Sequence, residues 1–222
     1  MTLDARLEAA AQFIRAAVHA DIGSDHAALP VALLTSGRVE RAVIVEKTEG
    51  PLRNARAAVA RAGLTDRCEV REGDGLAPLT PGEVESASMT GMGVRTMLGV
   101  LARAGDRLPP ALVLQPNDDA APLRAWARAQ AYHLRGEALA PGFWTYPVLH
   151  LRRAEGPDPA YEGVPGALAE RFGPHLLRAR DPQLLAVLER QRARLAPLTA
   201  HARADVLRHL SDVQSALAWM HT

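Results

Sequence analysis

The apolar residues of this chain fall into two alternating patterns: stretches with the spacing of a helix, and short continuous runs rich in β-branched residues. The helical spacing predicts helices over residues 4–17, 26–36, 50–63, 94–104 and 122–131. The continuous runs predict strands over residues 18–23, 41–46, 68–71, 84–89 and 111–114. Strands and helices that alternate in this way are typical of a parallel sheet with helices on both faces.

The pattern changes after the fifth strand, where two apolar runs follow each other closely. Residues 132–139 and 143–151 are predicted to form an antiparallel pair joined by Pro141 and Gly142. Alternating strands and helices that close on a hairpin predict an α/β protein with a Rossmann-like, seven-stranded sheet of the kind that methyltransferases use.

The carboxyl-terminal part has a different pattern. Residues 155–165 are rich in proline and glycine, which predicts a linker between a domain of residues 1–155 and one of residues 162–222. Beyond the linker, apolar residues recur at alternating intervals of four and three: Val206, Leu210, Val213, Leu217 and Met220. A second series consists of Leu184, Leu188 and Leu195. This spacing predicts two helices packed as an antiparallel hairpin, with the break near Pro197 or within residues 201–205.

Composition places the chain among globular proteins and excludes several classes. It has 222 residues with 48% hydrophobic and 23% charged residues, and no apolar run reaches the roughly 20 residues needed to cross a bilayer. Asp4, Arg6 and Glu8 interrupt the amino terminus, so a signal peptide is not expected and a cytoplasmic location is. The lone Cys68 excludes a disulfide framework and is predicted to be a buried strand residue.

The charge is unevenly distributed along the chain. The formal net charge is +1, yet residues 171–222 contain eight arginines against four acidic residues. A basic carboxyl-terminal segment of this kind is able to lie near the phosphates of a nucleic acid.

Three carboxylates follow the first three predicted strands. Asp21 ends the first strand, Glu46 ends the second and Asp74 follows the third, so all three are expected at the carboxyl edge of the sheet. Such acids can accept hydrogen bonds from ribose hydroxyls and from an adenine amino group. Surplus negative charge without a G-x-G-x-x-G motif favours S-adenosylmethionine (SAM), a sulfonium cation, over NAD. Taken singly, each carboxylate could instead belong to a turn or a helix cap.

The turns beside these carboxylates supply further candidates for cofactor binding. Glycines there allow the backbone to approach a ligand closely. The candidates are Gly23, Ser24, Gly73, Gly75, Thr90, Gly91 and Met92.

Two polar loops at the same edge are candidates for catalysis. Asp25 and His26 follow the first strand, and Gln115 and Asn117 flank a proline after the fifth. Many amine methyltransferases place a proline-containing polar loop there, against the target base. Asp25 could instead cap the next helix, His26 could be an ordinary first-turn residue, and the second loop could be a plain turn.

Six short segments carry a resemblance to a known family. They are ADIGSDHAALP (20–30), EKTEGP (46–51), REGDGL (71–76), TGMG (90–93), LVLQPN (112–117) and FGPHLL (172–177). In this order they resemble the bacterial tRNA (adenine-N1)-methyltransferases that modify position 22, the TrmK family, over nearly the whole chain. The resemblance implies a SAM-dependent Rossmann-like domain, a small helical, coiled-coil-like second domain, and tRNA as the partner.

With this resemblance the polar residues take specific predicted roles. Asp25, His26 and Asn117 are expected to hold the adenine base as catalytic residues. Because adenine N1 already offers a lone pair, catalysis is expected to rest on positioning and charge stabilisation rather than on a strong base. The predicted substrate-binding residues are Arg6, Gln115, Arg178 and Arg180.

The chain departs from the family pattern at two positions near the site. It has Ala28 where the pattern has an aromatic residue, and Val94 where the pattern has a glycine. Loss of an aromatic removes a stacking surface worth roughly 1–3 kcal/mol where a base stacks on it. A methyltransferase with another acceptor and a SAM- or RNA-binding protein without activity therefore stay open as alternatives. Neither a membrane nor a metal is expected as a partner, and both a monomer and a dimer are compatible with the sequence.

Overall fold

A computed structural model describes residues 2–24, 26–143, 145–197 and 203–222. The chain divides into two compact units, residues 1–156 and residues 157–222. Within the described residues, seven strands form one sheet in the first unit. They are β1 (Ala16–Ile22), β2 (Val39–Glu46), β3 (Cys68–Glu72), β4 (Ser86–Met92), β5 (Ala111–Pro116), β6 (Tyr132–Ala140) and β7 (Tyr146–Arg153).

Helices connect the strands and form the second unit. In the first unit they are α1 (Ala5–Phe13), α2 (Ala28–Thr35), α3 (Glu49–Arg61), α4 (Val94–Ala104) and α5 (Ala121–Ala129), with a 3-10 turn at Gly105–Arg107. In the second unit they are α6 (Gly166–Phe172), α7 (Pro174–Arg178), α8 (Pro182–Leu195) and α9 (Ala204–His221), with a 3-10 turn at Pro159–Tyr161. No helix among the described residues is long and apolar enough to cross a membrane.

The strand order is β3-β2-β1-β4-β5-β7-β6. Strands β1 to β5 are parallel, whereas β7 is antiparallel to both β5 and β6. This confirms the predicted Rossmann-like α/β fold and its closing hairpin. The carboxyl ends of β1 to β5 therefore share one edge of the sheet, and the turn between β6 and β7 lies at that same edge.

The predicted boundary between the first helix and the first strand is wrong, because strand pairing overrides local propensity. Helical spacing predicts one helix over residues 4–17, but α1 ends at Phe13 and β1 begins at Ala16. Ala16 pairs with Val39 of β2, so a residue with little intrinsic strand preference is drawn into the sheet.

Both ends of the predicted fourth strand, residues 84–89, are also wrong, because β4 begins at Ser86 and ends at Met92. The sequence places its end at Met89 before a glycine turn, but β4 continues to Met92. Its pairing with β5 is interrupted by an irregularity between Thr90 and Met92, which places Gly91 in a bulge. The bulge keeps the strand going and brings the TGMG segment against the end of β5.

The second unit buries the predicted apolar series. Leu184, Leu188 and Leu195 of α8 are buried, as are Leu210, Val213, Leu217 and Met220 of α9, whereas Val206 is half-buried. Helices α8 and α9 pack against each other. The predicted break between them falls partly on residues 198–202, which lie outside the described residues. The short helices α6 and α7 were not predicted, because five to seven residues between glycines and prolines give too few turns for a helical period.

Candidate functional site

The predicted carboxylates lie at the carboxyl edge of the sheet, but in two different environments. Asp21 and Glu46 are buried, with exposed fractions of 1% and 5%. Asp74 is exposed and pairs with Lys47 at 3.1 Å and Arg103 at 3.3 Å. The hydrogen bond from Lys47 and the two cations lower the pKa of Asp74. Asp21 and Glu46 thus form the inner part of the site, and Asp74 lies at its rim.

Asp21 is the end point of a buried chain of hydrogen bonds that joins β1 to β4. The Ser88 hydroxyl donates to Asp21 Oδ1 at 2.5 Å. His19 Nε2 lies 2.9 Å from the Ser88 hydroxyl, and His19 Nδ1 lies 2.7 Å from the Ser86 hydroxyl. The sequence did not predict these hydrogen bonds, although His19 has the two-residue spacing that puts it on the same face of β1 as Asp21.

Burial shifts the titration of these groups. Removal from water raises the pKa of Asp21, and the hydrogen bond from Ser88 acts in the opposite direction. Burial lowers the pKa of His19 to about 3, so this imidazole is neutral at physiological pH. Burial also raises the pKa of Cys68 to about 12, with a further contribution from the nearby Asp21 carboxylate. Cys68 is a buried strand residue as predicted.

The turn after β1 depends on two backbone conformations that few side chains tolerate. Gly23 has φ +75°, and a Cβ at this position would collide with the methyl group of Met92. Ala27 is fully buried with φ 55°, a left-handed conformation that is uncommon for alanine. Strain of this kind persists where the surrounding structure enforces it, and it is concentrated at functional sites.

Two of the predicted catalytic residues belong to this turn. Asp25 lies outside the described residues. His26 is exposed, and its backbone N–H donates to the Ser24 carbonyl at 2.6 Å. His26 is therefore at the carboxyl edge with its side chain toward solvent, and its catalytic role stays a prediction.

The end of β5 and the loop after it are bonded to the TGMG segment through Gly91, and β5 continues to Pro116, two residues beyond its predicted end. The Gly91 N–H donates to Gln115 Oε1 at 3.0 Å, and its carbonyl accepts from Asn117 Nδ2 at 2.7 Å. Asn117 N–H donates to the Met92 carbonyl at 2.9 Å, and Gln115 Nε2 donates to the Pro116 carbonyl at 2.6 Å. Gln115 is buried and braces this loop, so its predicted contact with substrate stays a prediction.

The predicted substrate-binding arginines have partners of their own. Arg6 pairs with Asp4 at 2.9 Å, and its guanidinium lies 5.3 Å above the ring of Tyr146. Tyr146 begins β7 and so places Arg6 at the carboxyl edge. In the second unit, Arg178 donates to the carbonyls of Ala160 and Glu162 at 3.1 Å and 2.6 Å. Arg180 is exposed there.

A cavity that the sequence did not indicate lies between the first turns of α4 and α5. Its volume is about 410 Å³, and its lining residues are Val94, Arg95, Leu98, Asp118, Asp119 and Pro122. Asp118 accepts from the Val94 N–H at 2.7 Å and so caps α4 from the next loop. The sequence did carry a signal for this helix cap, namely the run Asp118-Asp119 after the predicted loop, since acidic residues are frequent at helix starts.

The strand order, together with the acids after β1 and β2, is that of proteins with the Rossmann-like fold of methyltransferases. A family model described as tRNA (adenine(22)-N(1))-methyltransferase matches residues 19–219. The chain belongs to this family, TrmK.

Individual relatives agree with this assignment. The tRNA (adenine(22)-N(1))-methyltransferase of Bacillus subtilis (strain 168) is 34% identical over 189 residues, which cover 83% of this chain and 79% of that protein. The crystal structure of the B. subtilis M1A22 tRNA methyltransferase TrmK has a TM-score of 0.84 and 28% identity, covering 99% of this chain and 97% of that one. A Streptococcus pneumoniae protein, crystallised in complex with S-adenosyl-L-methionine, has a TM-score of 0.86 and 25% identity, covering 97% and 100%.

Proposed function

We propose that this protein methylates N1 of the adenine at position 22 of tRNA, with SAM as the methyl donor. The observation that carries the proposal is the family match over residues 19–219, which includes parts of both compact units. The B. subtilis relative bears the name of this activity, and the S. pneumoniae relative was crystallised with SAM.

The residues at the carboxyl edge fit a cationic nucleoside. Two buried carboxylates, Asp21 and Glu46, lie at the ends of β1 and β2. We assign Asp21 to the inner wall of the cofactor pocket and Glu46 to the ribose hydroxyls, with Asp74 at the rim toward the adenine. The backbone of the turns completes the pocket, through Gly23, Ser24, Gly73, Gly75, Thr90, Gly91 and Met92.

When bound, SAM would supply a methyl group on a positively charged sulfur: an attacking lone pair bonds to the methyl carbon while the carbon–sulfur bond breaks and its electron pair stays on the sulfur. Adenine N1 has such a lone pair, and the product base is a cation. The protein therefore has to orient the base and accommodate positive charge rather than remove a proton first. The buried carboxylates at the edge of the sheet favour positive charge in their vicinity.

Asn117 is suited to hold the base because its two polar atoms differ in their contacts. Its Nδ2 is committed to the Gly91 carbonyl at 2.7 Å. Its Oδ1 receives a long contact of 3.5 Å from Gln115 Nε2, so this oxygen keeps the capacity to accept from the amino group of adenine. We assign His26 and Asp25 to the opposite side of the base, and Arg6 and Gln115 to the surrounding substrate contacts.

The second unit is proposed to hold the tRNA. We place the functional domains at residues 1–155 for cofactor binding and 162–222 for tRNA binding. The eight arginines of residues 171–222 supply the positive charge, with Arg178 and Arg180 among the expected phosphate contacts. Acting on tRNA is consistent with the expected cytoplasmic location.

The proposed function is tested by incubating the protein with isotopically labelled SAM and a tRNA transcript that has adenine at position 22. Nucleoside analysis should find label in 1-methyladenosine, and a matched transcript with guanine at position 22 should stay unlabelled. Label in both transcripts would refute the assigned position, and label in another nucleoside would refute the assigned acceptor atom. A protein that binds SAM and tRNA but transfers no label would be a binding protein without this activity.

A further inference from the structure

Two interior serines and a histidine form an unusual polar line through the sheet. His19 and Ser88 are 0% exposed and Ser86 is 5% exposed. His19 is in register with Ser86, and Asp21 with Ser88, so the four side chains share one face of β1 and β4. Buried polar groups cost free energy unless they are hydrogen-bonded, and strands covered on both faces are usually apolar, so this line depends on its hydrogen bonds.

The hydrogen bonds in this line have a single consistent direction when Asp21 is ionised. A carboxylate only accepts, so the hydroxyl proton of Ser88 goes to Asp21. Ser88 must then accept from His19, which places the imidazole proton on Nε2. His19 Nδ1 is left to accept from the hydroxyl of Ser86. The charge on Asp21 thereby sets the direction of all three hydrogen bonds, which run from Ser86 through His19 and Ser88 to the carboxylate.

We propose that Ser88 and His19 are positioning residues for cofactor binding, which hold Asp21 in one orientation and stabilise its charged form. This inference rests on the proposed function, because Asp21 is taken as part of the SAM pocket. Hydrogen bonds to a charged acceptor are about twice as strong as neutral ones. A donor that is already held in place also loses no orientational freedom when the cofactor binds.

Other titratable groups on this face come from the neighbouring strands. Register places Ile44 beside Asp21 and Val70 beside Ile44, so Glu46 on β2 and both Cys68 and Glu72 on β3 share the face. The raised pKa of Cys68, about 12, keeps its thiol neutral well above physiological pH. Glu46 and Glu72 are unchanged in every Ser88 variant. A difference in pH profile among these variants therefore reports on the hydrogen bonds of the polar line.

The test is the pH profile of SAM affinity, measured by calorimetry on the full-length protein between roughly pH 5 and pH 9. Ser88→Thr and Ser88→Val have the same shape and differ in one hydroxyl, so they form a matched pair. We expect Ser88→Thr to keep the wild-type profile. In Ser88→Val the affinity should fall at a higher pH, so that on the acidic side of the profile it is lower than in Ser88→Thr by on the order of tenfold.

Two further variants keep the inference falsifiable if the larger side chains disturb folding. Ser88→Ala should resemble Ser88→Val, whereas Ser86→Ala, the same change at the far end of the line, should leave the profile near that of the wild type. Equal profiles for the Ser88 and Ser86 variants would overturn the inference. Failure of the wild-type protein to bind SAM would instead refute the proposed function.

A second observation concerns the turn between β6 and β7. Among the described residues, Phe143 and Leu207 are the exposed large apolar side chains, and Phe143 is 88% exposed. Tyr146 pairs with Ala140, and Leu149 pairs with Leu114 of β5, so this turn lies at the carboxyl edge of the sheet. Adjacent strands are about 4.8 Å apart, which puts the turn within roughly 10 Å of β5 across the sheet.

We infer that Phe143 stacks on a nucleobase of the bound tRNA, near the target adenine. The inference rests on the proposed function. Arg6, held above Tyr146, adds a cation at the same end of the hairpin. An exposed aromatic beside a cation is the combination that binds unpaired bases and their backbone. Phe143 also supplies an aromatic surface at the edge where Ala28 provides none.

The test compares Phe143→Ala, Phe143→Leu and Phe143→Tyr in steady-state methylation of tRNA. Stacking predicts that KM for tRNA rises roughly 5- to 100-fold in the alanine and leucine variants, whereas tyrosine restores it. SAM affinity should be unchanged in all three variants.

Three outcomes would overturn the inference. They are an unchanged KM in Phe143→Ala, restoration by leucine, which would indicate plain apolar contact, and a change in self-association without a change in KM, which would indicate an interface between copies of the chain. Absence of methylation by the wild-type protein would refute the proposed function first.

Discussion

Glu46 and Asn117 lie at one edge of the sheet but are expected to serve different molecules. Glu46→Gln should raise KM for SAM by about tenfold, with the rate recovered at saturating SAM, because it weakens binding without changing the approach to the base. Asn117→Asp should keep SAM affinity within a few-fold yet lower the single-turnover rate by roughly 10²-fold, since the loop loses its bond to the Gly91 carbonyl. Rapid-quench kinetics measures the methylation rate and calorimetry measures SAM affinity. The same defect in both variants would contradict the assignment of Glu46 to the cofactor and Asn117 to the base.

His19 should make the stability of the protein depend on acidity. Its pKa is lowered to about 3 in the fold from an ordinary value of 6.5, so below the latter the unfolded chain binds a proton that the native protein does not. Stability is therefore lost as pH falls. The loss should be about 2 kcal/mol between roughly pH 7 and pH 5.

The measurement is urea unfolding of the wild-type protein and of His19→Gln across this range. The variant lacks the titrating group, so its stability should fall less steeply. Asp21 acts in the opposite direction, since its raised pKa means that stability from the protonated form is lost as pH rises. Parallel curves for the two proteins would show that His19 does not carry the effect.

Among the strands and helices, the bulge in β4 can be tested by a matched pair of glycine substitutions. Gly91 has φ +73° and Gly63, at the end of α3, has φ +67°, and a Cβ at either position meets no atom within 4 Å. Alanine should cost about 1–2 kcal/mol of stability at both positions, through the backbone alone. Gly91→Ala should also reduce methylation at least tenfold, because a backbone shift away from positive φ would move the N–H and carbonyl that bind Gln115 and Asn117. Gly63→Ala should not reduce it. Thermal unfolding and activity measured together test this, and equal activity in the two variants would contradict it.

The same elements explain how much the sequence could predict. Strands β2 and β5 were predicted because their runs are apolar on both faces, and the site edge followed from where those runs end. The continuation of β4 was missed because a glycine usually ends a strand, whereas here both Thr90 and Met92 pair with β5 on either side of Gly91. The left-handed Ala27 and the hydrogen bonds of His19 had no local signal, since both depend on contacts between residues distant in sequence. Among site residues, Asp21 and Glu46 were placed from the sequence, whereas the environment of Asp74 and the bracing contacts of Gln115 were not.

At the scale of the whole molecule, the positive charge of the second unit should make tRNA affinity depend on salt concentration. Arg180, Arg190 and Arg194 are exposed there. Replacing all three with glutamine should reduce the slope of log affinity against log salt by roughly 0.7 to 0.9 for each phosphate that these arginines neutralise. The matched control replaces Arg53, Arg56 and Arg61, which are exposed on α3, and should leave the slope unchanged. Equal slopes for both triple variants would count against tRNA binding by the second unit.

The bonds through Gly91 also bear on how acceptor specificity can be changed. Gly91 of the TGMG segment is held on its N–H by Gln115 of β5 and on its carbonyl by Asn117, the residue after that strand. The two segments therefore form a single module for design, although 24 residues separate Gly91 from Gln115. A chimaera that exchanges residues 115–117 alone would take away the side chains that bind the Gly91 N–H and carbonyl. Redesign of this enzyme toward another base should therefore transplant residues 90–93 and 115–117 together.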